Sequence, residues 1–183
     1  MDVQVDVLVP STVSPGKGRR AARLPGHEAH IARKVDGLEG VLVDRTKMHI
    51  CSLEPERDFR RIEANVAGPG ALLVAKLFKI NERRGTSRSS DKDALDIFRI
   101  LQGVETKELV VCLWRILKDD RSRNSGKRAL ELLSELFGNR GSEGATMVAR
   151  ATRPLIEEAE VRLQSELLAR DLMAAMDKKL LIT

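Results

Sequence analysis

Aromatic side chains are scarce in this 183-residue chain, which has no tyrosine, one tryptophan and four phenylalanines, 3% in all. Few platforms exist on which nucleic-acid bases could stack, and this counts against a single-strand binder that works by stacking. Cysteine is equally sparse. Cys51 and Cys112 stand far apart and outside any paired metal-ligand spacing, which excludes a disulfide framework and a zinc site and leaves both as expected small core residues. No apolar run approaches the roughly 20 residues that cross a bilayer. The opening "MDVQVDVLVP" has neither a basic start nor a small-residue cleavage site. A cytoplasmic protein without membrane contact is expected.

What is present is ample material for a core, 42% hydrophobic residues, enough for one compact domain or two small ones. The formal net charge of +5 and a pI near 9.5 suit a polyanionic partner such as a nucleotide or RNA.

Patterning divides the chain. "VQVDVLVP" alternates, with Val3, Val5, Val7 and Val9 on one side, and predicts a strand ended by Pro10. Residues 11–34 mix Pro, Gly and Ser with Arg19, Arg20 and Arg23 and lack a period, so a long basic loop is expected there. "GVLVDR" and "KMHICSLE" predict two short strands in a hairpin turning through residues 44–47. From about Ile62 the period becomes helical. "AGPGALLVAKLFKINERRG" brackets a helix over residues 69–84, and a second begins at Asp91 with Ser90 as cap and Gly103 at its far end. Three more follow, in "TKELVVCLWRILKD", "SGKRALELLSELFG" and "RPLIEEAEVRLQSELLARDLMAAMDKK". The fold expected is α+β: a small, incomplete mixed or antiparallel sheet within residues 1–61, then a C-terminal helical bundle over residues 62–183.

Several familiar motifs fail on spacing. "HEAH" separates His27 and His30 by three positions, whereas a zinc helix needs four to put both imidazoles on one face. "SPGKG" and "NSGKR" lack the upstream glycine and the following Ser or Thr of a phosphate-wrapping loop. In "GTSRSSDKD" the acids Asp91 and Asp93 run into the helical stripe Ala94, Ile97, Phe98 and Leu101. They open a helix, where carboxylates complement the positive end of its dipole.

The informative anomaly is Lys76, set among Leu72, Leu73, Leu77 and Ile80. A lysine there either snorkels, pairs with an acid, or faces a cleft that binds an anion. Asp93 and Asp96, beside the stripe of the next helix, are the acids within reach if the two helices lie antiparallel. On the functional reading, Lys76 with Arg83, Arg84 and Lys92 forms a cationic wall for a triphosphate, because phosphate oxygens accept several charge-assisted hydrogen bonds at once.

The order "VDVLVP", "AGPGALLVAKLFKINER", "DKDALDIFRIL" resembles the second half of bacterial nucleotidyltransferase-like proteins of the polymerase-β-like superfamily, abortive-infection toxins among them. The resemblance covers about residues 3–101. It implies transfer of a nucleoside monophosphate from an NTP to an acceptor with Mg²⁺, Asp6 being the catalytic, metal-holding carboxylate, Lys76 the phosphate-contacting lysine, and Asp93 and Asp96 the acids of the last motif. The family's early Gly-Ser and Asp-x-Asp strand, expected ahead of "VQVDVLVP", does not occur in this sequence. Two-metal transfer needs clustered carboxylates, so little or no transfer is expected of this chain alone. A second copy or a partner chain would be needed to complete the sheet. The alternative is a non-catalytic module that binds RNA or protein through its basic loop.

Overall fold

Gly68 and Pro69 open helix α1 (Pro69–Arg83) where the sequence predicts it, and the reason lies 24 residues upstream of Gly68. The buried Asp44 carboxylate accepts the Ala71 backbone N–H at 2.8 Å, so an acid from a distant turn caps this helix and meets its positive end. Glycine is required at the contact, since a Cβ on Gly68 would lie 2.4 Å from the Asp44 carboxylate and one on Gly70 would lie 2.7 Å from Cys112 Cβ. Asp44 is therefore a helix cap rather than part of a hairpin turn.

The structure, a computed structural model, describes residues 5–13, 22, 26–27, 31–86 and 89–181. It is α+β, with strands β1 (Val7–Pro10), β2 (Ala32–Val35), β3 (Arg45–Cys51) and β4 (Arg61–Ala67) ahead of the helices. After α1 come α2 (Asp91–Gly103), α3 (Thr106–Lys118), α4 (Arg123–Phe137), α5 (Glu143–Thr152) and α6 (Glu158–Leu181). The strands form two separate pairs instead of one incomplete sheet: β1 runs parallel to β2, and β3 antiparallel to β4.

Four expectations are corrected here. The loop over residues 11–34 contains β2 at its end, which pairs Val7 with Ala32 and Pro10 with Val35. The hairpin joins β3 to β4 across residues 52–60, so alternation in "RIEANVA" is a strand and the helical period begins at Pro69 and not at Ile62. "GVLVDR" is largely a short 3-10 turn, Glu39–Leu42, packed on α1. Cys51 lies exposed on β3, whereas Cys112 is buried as expected. Burial pushes the Cys112 thiol up to about 11, and the neighbouring Asp44 carboxylate adds to the shift.

The helices enclose one core. Leu73, Leu77, Ile97, Leu113, Ile116, Leu132, Phe137, Met147 and Leu172 are all buried in it. Along α6 the buried positions Val161, Ser165, Ala169, Leu172 and Met176 recur every three or four residues, the period of one helical face. Helix α5 lies outside the predicted set. Its small residues Gly144, Ala145 and Ala149 make a faint stripe, yet they let it approach α4 so closely that a Cβ on Gly144 would strike Phe137.

Candidate functional site

On α1, Lys76, Lys79 and Arg83 stand three and four residues apart and so share one side, next to the buried stripe of Leu73, Leu77 and Ile80. Leu72, counted in that stripe from sequence, is 43% exposed, and Lys76 therefore sits at the margin of the apolar face. The pairing of residue 76 with 96 and of 83 with 93 shows α2 running antiparallel to α1. Its first turn brings Asp93, 2% exposed, into the middle of the three cations.

Lys76 Nζ donates to Asp93 Oδ1 at 3.0 Å and to Asp96 Oδ2 at 2.6 Å. Lys79 Nζ donates to the same Asp93 oxygen at 2.9 Å, and Arg83 reaches Oδ2 at 3.4 Å. Burial pushes the Asp93 carboxyl upward, but the hydrogen bonds from Lys79 and Lys76 outweigh it and hold the group below its ordinary range. Burial likewise pushes Lys76 down, and Asp96 and Asp93 reverse this, leaving its ammonium above its ordinary range. Both groups stay charged at neutral pH. Of the answers open to Lys76, the ion pair is the one the structure contains.

The other predicted residues separate into two groups. Arg83 joins the cluster. Arg84 turns away to Glu143 at 2.7 Å and Glu135 at 3.6 Å, tying α1 to α5 and α4, and Lys92 is exposed on the first turn of α2. Ser90 precedes α2 but makes no side-chain cap, while Asp91 is held by Arg150 through two bonds of 2.9 and 2.6 Å. Asp6, just ahead of β1, is exposed and meets Arg33 Nη2 at 3.3 Å. Of "HEAH", His27 is exposed and His30 lies outside the described residues, as do Arg19, Arg20 and Arg23 of the basic loop. Among the described residues no three of His, Cys, Asp and Glu come together as metal donors. Asp6 with its arginine partner does not fit the several-carboxylate set that two Mg²⁺ ions require.

A cleft of about 140 Å³ opens between β2 and the end of α1, lined by Leu8, Arg33, Lys34, Val35, Lys79, Glu82 and Arg83. Four cations and one carboxylate face it. Lys34 is buried and, like Glu82, has a further partner of its own. Arg33 and Lys34 carry no local signal in a stretch whose pattern is that of a loop; the Arg-Lys pair acquires meaning only once β2 is laid beside β1. A larger cleft of about 330 Å³ carries Asp36, Glu39 and Asp120 against Arg121 and Arg128, a mixed lining without a preferred sign. Glu39 there already accepts from Gly37 N at 3.0 Å and from Ser11 Oγ at 3.3 Å. Of the two, the smaller cleft has the more strongly cationic lining. No helix among the described residues is long and apolar enough to cross a membrane. No protein-family model matches the chain, and neither the curated proteins nor the solved structures give a match.

Proposed function

We propose that this chain is a nucleotidyltransferase-like protein that binds the phosphates of a nucleotide in the cleft between β2 and α1 and does not transfer them. The observation that carries the reading is the convergence of Arg33, Lys34, Lys79 and Arg83 on one small cleft, with two of the four braced from behind by buried Asp93. Guanidinium and ammonium groups held in fixed positions lose little freedom when they meet phosphate oxygens. In this scheme Lys76 does not touch the ligand; it neutralises Asp93 and Asp96 so that Lys79 and Arg83 can face outward. The Mg²⁺ ion would arrive with the NTP, held by its phosphates. The cytoplasm, where NTPs are abundant and the two free thiols stay reduced, is the proposed location.

A thermal-shift titration with ATP, with and without Mg²⁺, tests this. The expected result is a concentration-dependent rise in Tm that is lost in Arg33→Gln and kept in Lys92→Gln. No rise, or a rise indifferent to Arg33→Gln, would overturn it. Mg²⁺-dependent labelling from radioactive NTP that disappears in Asp6→Ala would overturn the non-catalytic half.

A second reading, RNA binding, is favoured by the polar face of β3–β4, where Arg45, Lys47, His49 and Arg61 stand with Glu63 as the only acid. Salt-sensitive RNA binding that falls in Arg45→Ala and Arg61→Ala, beside an ATP shift that never appears, would select it.

A further inference from the structure

The β3–β4 ribbon is amphipathic, and among the described residues its apolar side stays largely exposed. Its register sets Thr46 opposite Val66, Met48 opposite Ala64 and Ile50 opposite Ile62, all on one face. Every residue of β3 is exposed, and β4 buries none of its seven. Beyond the strands, Leu53 and Phe59 are 100% and 88% exposed. A lone two-stranded ribbon is marginally stable in water, and each strand here leaves one unbroken edge of hydrogen-bonding groups without proline or bulge.

We propose that the free edge of β4 pairs with the same edge of a second copy, antiparallel, about a two-fold axis at Ala64. The result is a four-stranded sheet in the order β3-β4-β4-β3. Charge selects this edge. Self-pairing of β4 about Ala64 sets Glu63 opposite Asn65, Arg61 opposite Ala67 and Ile62 opposite Val66, so no two like charges face each other and the apolar residues meet on one side. Self-pairing of β3 about Met48 would set Lys47 opposite His49 on a strand that also carries Arg45. Moving the β4 axis by one residue would either oppose Glu63 to itself or shorten the pairing. A ribbon edge of seven residues buries less than the roughly 1,200 Å² of a stable interface, so the association is weak and reversible.

The tests use the full chain, and they stand whether or not the cleft binds a nucleotide. Sedimentation should show the mass rising from 20.3 kDa toward twice that value with concentration. In a Cys51→Ser background, Ala64→Cys should give a disulfide dimer as the main oxidised product, since Cα atoms directly opposite lie about 4.5–5.5 Å apart and a disulfide spans that gap. Met48→Cys in the same background should not. The double change Ile62→Lys with Val66→Lys places ammonium groups opposite each other and should abolish the mass increase while leaving the thermal midpoint of the helical body in place. A chain monomeric at every concentration, cross-linking through Met48→Cys as readily as through Ala64→Cys, or a dimer indifferent to the double change would each overturn the proposal.

Discussion

Ile62 on β4 is 63% exposed and Ile97 on α2 is fully buried, although each belongs to the apolar side of an amphipathic element. The difference lies in what is stacked against them. Helix α2 is covered by α1, α5 and α6, so its stripe meets other stripes; among the described residues the ribbon strands pack chiefly on each other. An apolar pattern in sequence therefore says which face seeks cover, and the three-dimensional neighbours decide whether cover exists. Truncating one residue in each region sharpens the contrast. Phe137→Ala empties a fully enclosed site and should cost about 3–5 kcal/mol by chemical denaturation. Ile62→Ala, measured in dilute monomer, should stay within about 0.5 kcal/mol. Equal losses would mean that the ribbon packs on the helical body after all.

The same contrast applies to charge. Removing Asp93 by Asp93→Ala strips the common partner from Lys76, Lys79 and Arg83. The expected loss is about 2 kcal/mol, less than the roughly 3–5 of a fully enclosed pair, because Lys79 is 40% exposed and can turn to water. Its pH dependence has a defined sign. The depressed Asp93 pKa gives stability that is present above the unfolded value near pH 4 and is lost as pH falls through the folded one. The raised Lys76 pKa gives stability present below about pH 10.4 and lost as pH rises through its folded value. Unfolding midpoints from pH 2 to 7 should thus fall less steeply on the acid side in Asp93→Asn than in the unaltered chain. An unchanged acid slope would remove the network from the account of stability.

Legibility followed the range of the interaction. Helices α1, α2, α3, α4 and α6 could be read because their caps and stripes are local, within three or four residues. The pairing of Lys76 with Asp93 and Asp96 could also be read, since only a short stretch of sequence, residues 84–90, separates the two helices. Asp44 could not: its partner Ala71 is 27 residues away and the acid looks like any turn residue. β4 is hard to read locally because Ile62 and Val66, four residues apart, also suit one face of a helix when the partner strand is unknown. The cationic cleft depends on β2 lying beside α1, a contact with no local signature.

The smallest expected difference concerns the exposed ion pair of the ribbon. Lys47 Nζ meets Glu63 Oε1 at 2.7 Å, a shorter contact than Lys76 makes with Asp93, yet its side chains are 70% and 51% exposed. Distance alone would rank it the stronger. Water competes for both ends and salt screens what remains, so the pair should contribute about 0–1 kcal/mol. Lys47→Ala should therefore shift the denaturation midpoint little at low salt and not at all near 1 M salt, where the Debye length shrinks to about 3 Å. A loss that matches Asp93→Ala and persists in high salt would show that the pair is shielded from solvent and overturn its ranking as an exposed contact.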